Sequence, residues 1–218
     1  MAAARIELKT LLFTLMGISA LELFSARVLP SGFVNPLVLI GVVRVMELVL
    51  MMAILVFSDR DLGAVGLSKA TAARGFLKGF IWATGFGCFA AGAGLLMYFF
   101  LGIDPLTLIQ APMPSGSSRI LQLILVGGII GPLSEEFFFR GILYGYLRRW
   151  GIFPALFLST FFFVILHPAK SLVVTQTVGG VLFASAYEIE RNLIVPITIH
   201  ILGNLAIFAL ALLLRSVG

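Results

Sequence analysis

The sequence predicts an all-α, polytopic membrane protein, a transmembrane bundle of seven to eight helices. Of its 218 residues, 60% are hydrophobic and only 11% are charged, and the mean hydropathy is +1.11. A soluble domain has about 45–50% apolar and about 25% charged residues. Apolar runs near the roughly 20 residues that a helix needs to cross a bilayer recur along the chain. We therefore expect a multi-pass integral membrane protein.

Seven apolar runs come close to or exceed that length. An eighth helix would arise if the long third or fourth run is split. The fourth run contains Gly127, Gly128, Gly131 and Pro132, and residues of these types break or kink helices. The seven runs lie at about 10–29, 36–57, 76–102, 119–147, 151–167, 170–187 and 192–214.

The connections between these runs are too short for a separate soluble domain, so residues 1–218 are predicted to form one transmembrane domain. Segment 58–75 is expected to be an interfacial loop or a short amphipathic helix. Segment 103–118, with three prolines and three serines, is expected to be irregular. The basic N-terminus and first apolar run resemble a signal peptide, but Glu22 interrupts the run and no small-x-small cleavage pattern follows. We interpret this run as an uncleaved first membrane segment.

The net charge of +5 is explained by basic residues in cytoplasmic loops, and no basic stripe for nucleic acid is present. With the N-terminus inside, nine Lys and Arg residues fall on the inner side and four on the outer side, which favours this orientation. The inner residues are Arg5, Lys9, Arg60, Lys69, Arg74, Lys78, Arg148, Arg149 and Arg191, and the outer ones are Arg27, Arg119, Lys170 and Arg215.

Cys88 is the only cysteine, so no intrachain disulfide and no cysteine-based zinc site can form. Because it lies in an apolar run, we expect it to be a small buried residue.

Ionisable residues at membrane depth face the bundle interior and mark function or pairing. In the first such group, Arg44 and Glu47 are three residues apart and can pair on one helix face. Glu22 can reach Arg44 from the neighbouring helix. We interpret this group as a structural ion pair.

The second group is Glu135, Glu136 and Arg140. Glu136 and Arg140 are four residues apart and can pair within a helix. Glu135 then points about 100° away and stays outside that pair. This arrangement suits one glutamate with a structural role and one that takes part in the chemistry. The alternative is that both glutamates only neutralise Arg140.

Both histidines of the chain lie in later apolar segments. His200 and Asn204 are four residues apart and share a helix face. Counted at about 1.5 Å per residue, Glu135, His167, His200 and Asn204 fit within a layer about 10 Å thick. The alternatives are core histidines and a polar clasp between helices.

If these four side chains converge, Glu135 and His167 can activate one water as a general base. His200 and Asn204 then supply two neutral donors for an oxyanion. Ser134 is expected to be a helix N-cap after Pro132 rather than a nucleophile. Glu135 with the two histidines can alternatively form a three-ligand zinc site with an open water position. The chemistry predicted is amide hydrolysis inside the membrane.

The motifs resemble the CAAX protease and bacteriocin-processing (CPBP, or ABI) intramembrane endopeptidases, which include the Ras-converting CAAX endopeptidase. The family pattern is Glu-Glu-x-x-x-Arg, then Phe-x-x-x-His, then His-x-x-x-Asn or Asp. The resemblance covers about 119–208, the predicted catalytic region, and the N-terminal half shows no matching motif. The matching segments are "EEFFFR" at 135–140, "FVILH" at 163–167 and "HILGN" at 200–204.

The resemblance implies an intramembrane endopeptidase in which Glu135 and His167 activate water, His200 and Asn204 form the oxyanion hole, and Glu136 and Arg140 support the site. It leaves a glutamate-type and a zinc mechanism open. We expect no obligatory cofactor, with zinc as the alternative.

The expected partners are the lipid bilayer and a protein or peptide with a membrane-associated terminus: a prenylated C-terminus, a peptide leader or a C-terminal sorting tail. The orientation mildly favours an exported or membrane-anchored substrate. The expected location is a prokaryotic plasma membrane. Two other functions stay open: a non-catalytic membrane scaffold or immunity protein, and a small transporter, which the lack of internal repeats disfavours.

Overall fold

The chain folds into a bundle of helices, as the sequence predicts. The computed structural model describes residues 6–28, 35–59, 61–108, 113–167 and 173–217, and all regular elements in these ranges are helical. Seven long helices lie within them. They are α1 Leu8–Val28, α2 Pro36–Asp59, α3 Lys69–Leu96, α4 Ser117–Trp150, α5 Ile152–Ile165, α6 Val173–Glu190 and α7 Ile194–Val217.

Each predicted apolar run coincides with one of these helices. Of the described helices, α1, α2, α3, α4 and α7 are long and apolar enough to cross a membrane, whereas α5 is shorter, at 14 residues. Helix α6 does not meet that criterion. The membrane orientation stays a prediction, and Arg5, Arg60 and Lys170 of its charge count lie outside the described residues.

Helix α4 continues past its glycines and proline, so the fourth run does not provide the possible eighth helix. The helix continues through a π-helical turn at Val126–Ile130 and a longer π-helical stretch at Phe137–Tyr144. A π turn inserts an extra residue into the helical repeat, and such turns are frequent at functional sites. Here the two π stretches flank the Glu135–Glu136 pair.

The core of the bundle is built around α4, which is the most deeply buried of the candidate spans. Its side chains Phe137, Ile142 and Tyr144 are almost fully buried. Helices α2, α6 and α7 pack around it, and α5 packs against both α4 and α6. Side chains that project from the middle of α4 therefore face protein, which is where the polar motif residues lie.

The connectors contain short helices. A 3-10 turn at Leu62–Val65 precedes α3, and another at Pro105–Leu108 lies in the segment expected to be irregular. Residues 109–112 of that segment lie outside the described part. Cys88 is exposed on α3 rather than buried, because this stretch of α3 packs little against the bundle.

Replacing either of two glycines of α3 by alanine is expected to have opposite effects on the unfolding temperature. A Cβ at Gly79 would lie 2.5 Å from Thr198 Cβ and 3.0 Å from Val195 O on α7, whereas a Cβ at Gly85 would meet nothing within 4 Å. Alanine improves helix propensity by about 1 kcal/mol, but overpacking costs roughly 1–3 kcal/mol. We expect Gly79→Ala to lower the unfolding temperature in detergent.

Gly85→Ala is the matched control, and we expect it to leave the unfolding temperature unchanged or to raise it. If both variants shift the unfolding temperature in the same direction by the same amount, the tight α3–α7 contact at Gly79 is wrong.

Candidate active site

Glu135 meets both histidines. Its Oε2 lies 3.3 Å from His167 Nε2 and 3.8 Å from His200 Nε2. Glu135 belongs to α4, His167 follows the end of α5, and His200 belongs to α7. Three separate apolar segments thus bring these side chains to one point, as the sequence predicts.

His167 is oriented by its own helix end. Its Nδ1–H donates to the Phe163 carbonyl oxygen at 2.6 Å, and the two rings pack with centroids 4.4 Å apart. Since a carbonyl oxygen only accepts, Nδ1 carries a proton and Nε2 faces Glu135. A carboxylate and an unprotonated Nε2 both act as acceptors, so their contact at 3.3 Å needs a shared proton or a water molecule that binds both atoms from the side, since the gap itself is too short for water.

Glu136 forms the buried half of the site. Its Oε1 accepts from Arg140 Nη1 at 2.9 Å and from His200 Nδ1 at 2.8 Å. The predicted i,i+4 pair between Glu136 and Arg140 is therefore confirmed, and both side chains are 0% exposed. The contact between Glu136 and His200 was not predicted, because helix spacing does not say which of two adjacent glutamates faces a distant histidine.

Arg140 is held in an aromatic cage. Its guanidinium carbon lies 4.7 Å from the ring centroid of Phe163 and 5.2 Å from that of Phe183. Its Nη2 donates to the Gly180 carbonyl oxygen at 3.2 Å. Phe183 also stacks on His200, with centroids 4.6 Å apart. Cation–π contacts of this kind stabilise a desolvated guanidinium by about 2 kcal/mol or more, so the cage helps to keep Arg140 charged.

Asn204 is anchored to the main chain of α4. Its Nδ2 donates to the Gly127 carbonyl oxygen at 2.9 Å. Gly127 belongs to α4, one π turn before the glutamates. The side chain that the sequence assigns to the oxyanion hole is thus bound to the helix that carries Glu135.

The first ionic group has the predicted pairing. Arg44 donates to Glu47 Oε2 at 2.5 Å and to Glu22 Oε1 at 2.6 Å, which confirms the ion pair across α1 and α2. Ser134 Oγ donates to the same Glu47 oxygen at 3.3 Å. The expected N-cap role of Ser134 is therefore wrong, because α4 is continuous through this residue.

The Ser134–Glu47 contact extends the ionic group to the residue beside Glu135. These two residues are 87 positions apart, so only tertiary structure brings them together. The Glu47 Oε1 atom is buried without a protein hydrogen-bond partner. Because Ser134 directly precedes Glu135, the two ionic groups lie next to each other in the structure.

The site has an open and a closed side. The side chains of Glu135 and His167 are 21% and 27% exposed, whereas Glu136 is completely buried and His200 is 7% exposed. A reactant can therefore reach Glu135 and His167, while Glu136 and Arg140 are shielded from it.

Within the part of the chain that the structure describes, no group of three His, Cys, Asp or Glu side chains has the arrangement of a metal site. Glu135, His167 and His200 are the residues of the alternative zinc site. The Nε2 atoms of both histidines approach the same oxygen, Glu135 Oε2, and His200 Nδ1 faces Glu136.

Fold and site together define a helical integral membrane protein with a buried glutamate–histidine centre. Residues 117–206 match the family described as type II CAAX prenyl endopeptidase Rce1-like. This match confirms the resemblance of residues 117–206 to CAAX-type endopeptidases. The matched residues carry all three sequence motifs.

Two curated bacterial proteins are similar to the chain. A Bacillus subtilis protein described as a candidate membrane peptidase, YdiL, is 29% identical over 143 residues, which is 65% of this chain and 55% of that protein. The membrane-embedded CAAX protease MroQ of Staphylococcus aureus is 34% identical over 93 residues, 39% of this chain and 38% of that protein. The chain thus aligns with about half or less of each relative. No solved structure matches it significantly.

Proposed function

We propose that the chain is an intramembrane endopeptidase that hydrolyses a peptide bond of a membrane-associated protein or peptide. The observation that carries this proposal is the meeting of Glu135 with His167 and His200 inside an apolar bundle. The family of segment 117–206 and the protease name of MroQ support it.

In this proposal, Glu135 and His167 activate the attacking water. A water molecule that contacts both Glu135 Oε2 and His167 Nε2 from the open side of the site can give its proton to either group while its oxygen attacks the substrate carbonyl. The fixed Nδ1–H of His167 leaves Nε2 as the only ring nitrogen that can exchange this proton. The proton then passes to the leaving amine.

His200 and Asn204 stabilise the oxyanion. Nδ1 of His200 is held at the Glu136 carboxylate, so Nε2 is the ring nitrogen that faces Glu135 and the reacting atoms. One well-placed donor contributes roughly 3–4 kcal/mol to transition-state stabilisation.

Glu136 and Arg140 act as supports. Glu136 holds the ring of His200, and Arg140 neutralises Glu136 without touching the reacting atoms. The proposed substrates are those with a prenylated C-terminus, a peptide leader or a sorting tail. The bacterial relatives support a prokaryotic plasma membrane as the location.

Cleavage by the purified chain tests this function. The full chain in proteoliposomes is incubated with internally quenched peptides in matched farnesylated and unmodified forms, and the products are identified by mass spectrometry. In parallel, new peptide termini are mapped in membranes of cells that express the wild type or Glu135→Gln. We expect cleavage that depends on Glu135. Identical termini in both cell lines and no peptide cleavage would support the scaffold alternative.

We propose that the reaction has no obligatory metal. Treatment of the purified chain with EDTA and then with 1,10-phenanthroline is therefore expected to change the cleavage rate by less than about twofold, because Glu135 and His167 supply the base themselves. The rate is measured before and after dialysis. Loss of activity that zinc restores would instead assign Glu135, His167 and His200 to a catalytic zinc site.

A further inference from the structure

Pro132 lies where α4 changes from its first π turn back to α-helix. In that turn the Gly131 N–H donates to the Val126 carbonyl oxygen, five residues earlier. The next bond in this register would run from residue 132 to the Gly127 carbonyl oxygen. Proline has no N–H, so Gly127 receives no donor from residue 132.

Asn204 supplies a donor to that oxygen. Its Nδ2 lies 2.9 Å from Gly127 O. Helix α7 packs closely on the main chain of α4 here, since a Cβ at Gly128 would lie 2.9 Å from the Leu205 side chain at Cδ2. This close approach lets the short asparagine side chain reach the main chain of α4.

We propose that Pro132 is a positioning residue: it leaves the Gly127 carbonyl free so that this oxygen holds the Asn204 amide in one orientation. An amide NH2 group has two hydrogens. With one of them bound to Gly127 O, the direction of the other is set relative to α4, the helix that carries Glu135. The catalytic consequence of this orientation rests on the proposed function, whereas the anchoring does not.

A double-mutant cycle tests the anchoring without any substrate. The full chains of wild type, Pro132→Ala, Asn204→Ala and the double variant are compared by thermal unfolding in the same detergent. Asn204→Ala alone is expected to lower the unfolding temperature, because Gly127 O loses its donor. In the double variant the main-chain N–H gained at position 132 donates to Gly127 O, and at least half of that loss is recovered. If the unfolding-temperature shift of the double variant equals the sum of the shifts of the two single variants, the proposal is overturned.

Kinetics separate positioning from packing. On the internally quenched peptide that the wild type cleaves, Pro132→Ala is expected to lower kcat roughly 10-fold with KM within about twofold, because the amide loses its anchor. The double variant is expected to keep the low kcat of Asn204→Ala despite its recovered stability. An unchanged kcat in Pro132→Ala would overturn the positioning role.

Pro154→Ala is the matched control. Pro154 is exposed in the first turn of α5, where main-chain N–H groups have no helical partner. We expect the unfolding-temperature shifts of Pro154→Ala and Asn204→Ala to add in the double variant. We also expect Pro154→Ala to leave kcat unchanged. If the wild type cleaves no peptide but the unfolding temperatures are coupled, the proposed function fails and the anchoring of Asn204 stands.

Discussion

Glu135→Gln is expected to reduce the rate of peptide cleavage by about 10²–10⁴-fold, the usual contribution of a general base. Glutamine keeps the shape of the side chain but cannot take a proton from water. The fold is expected to persist, because the buried partner of Arg140 is Glu136 and not Glu135. The measurement is the initial rate of the purified variant, together with its unfolding temperature.

Glu190→Gln is the control for this substitution. Glu190 is also a partly buried carboxylate in the bundle, where it accepts from Trp82 and pairs with Lys78 on α3. We expect it to keep the wild-type rate within about threefold. A Glu135→Gln variant that is folded and as active as the wild type would remove Glu135 from the chemistry.

Arg140→Leu is expected to have the largest effect on stability, a loss of about 3–5 kcal/mol in the free energy of unfolding. Removing one partner of a buried ion pair leaves an uncompensated charge, here that of Glu136. The hydrogen bond from Arg140 Nη2 to the Gly180 carbonyl oxygen is also lost. The loss is measured by denaturant unfolding in mixed micelles and by the yield of folded protein.

The double variant Glu136→Gln/Arg140→Leu is expected to recover much of this loss, since no unpaired charge then remains buried. It is expected to stay inactive, because His200 no longer faces a carboxylate. Arg119→Leu, at an exposed position on the same helix, is the control and is expected to cost less. If Arg140→Leu is no more destabilising than Arg119→Leu, the ion pair is not structural.

The helices were predictable because, in lipid, a spanning segment must satisfy all its main-chain hydrogen bonds within itself. About 20 apolar residues in a row therefore predict α2 and α7 closely. The path of α4 was not predictable in the same way. Gly127, Gly128 and Pro132 indicate a break by local rules, whereas the structure keeps the helix with a π turn whose Gly127 carbonyl is bound by Asn204 from α7.

For the site, the depths counted along the helices allowed Glu135, His167 and His200 to meet, and the distances between their side chains show that they do. Helix spacing also predicted the pair of Glu136 with Arg140. It could not predict that His200 contacts Glu136, or that Ser134 binds Glu47, because these contacts depend on how separate helices are rotated against each other.

The central claim is that Glu135 and His167 act as one unit on one water molecule. The most direct measurement compares the cleavage rates of Glu135→Gln, His167→Ala and the double variant under single-turnover conditions. Residues that act as a unit are strongly non-additive, so the account predicts that the double variant is about as fast as the slower single variant. A double variant slowed by the product of the two single losses would show that the residues act independently, and would contradict the account.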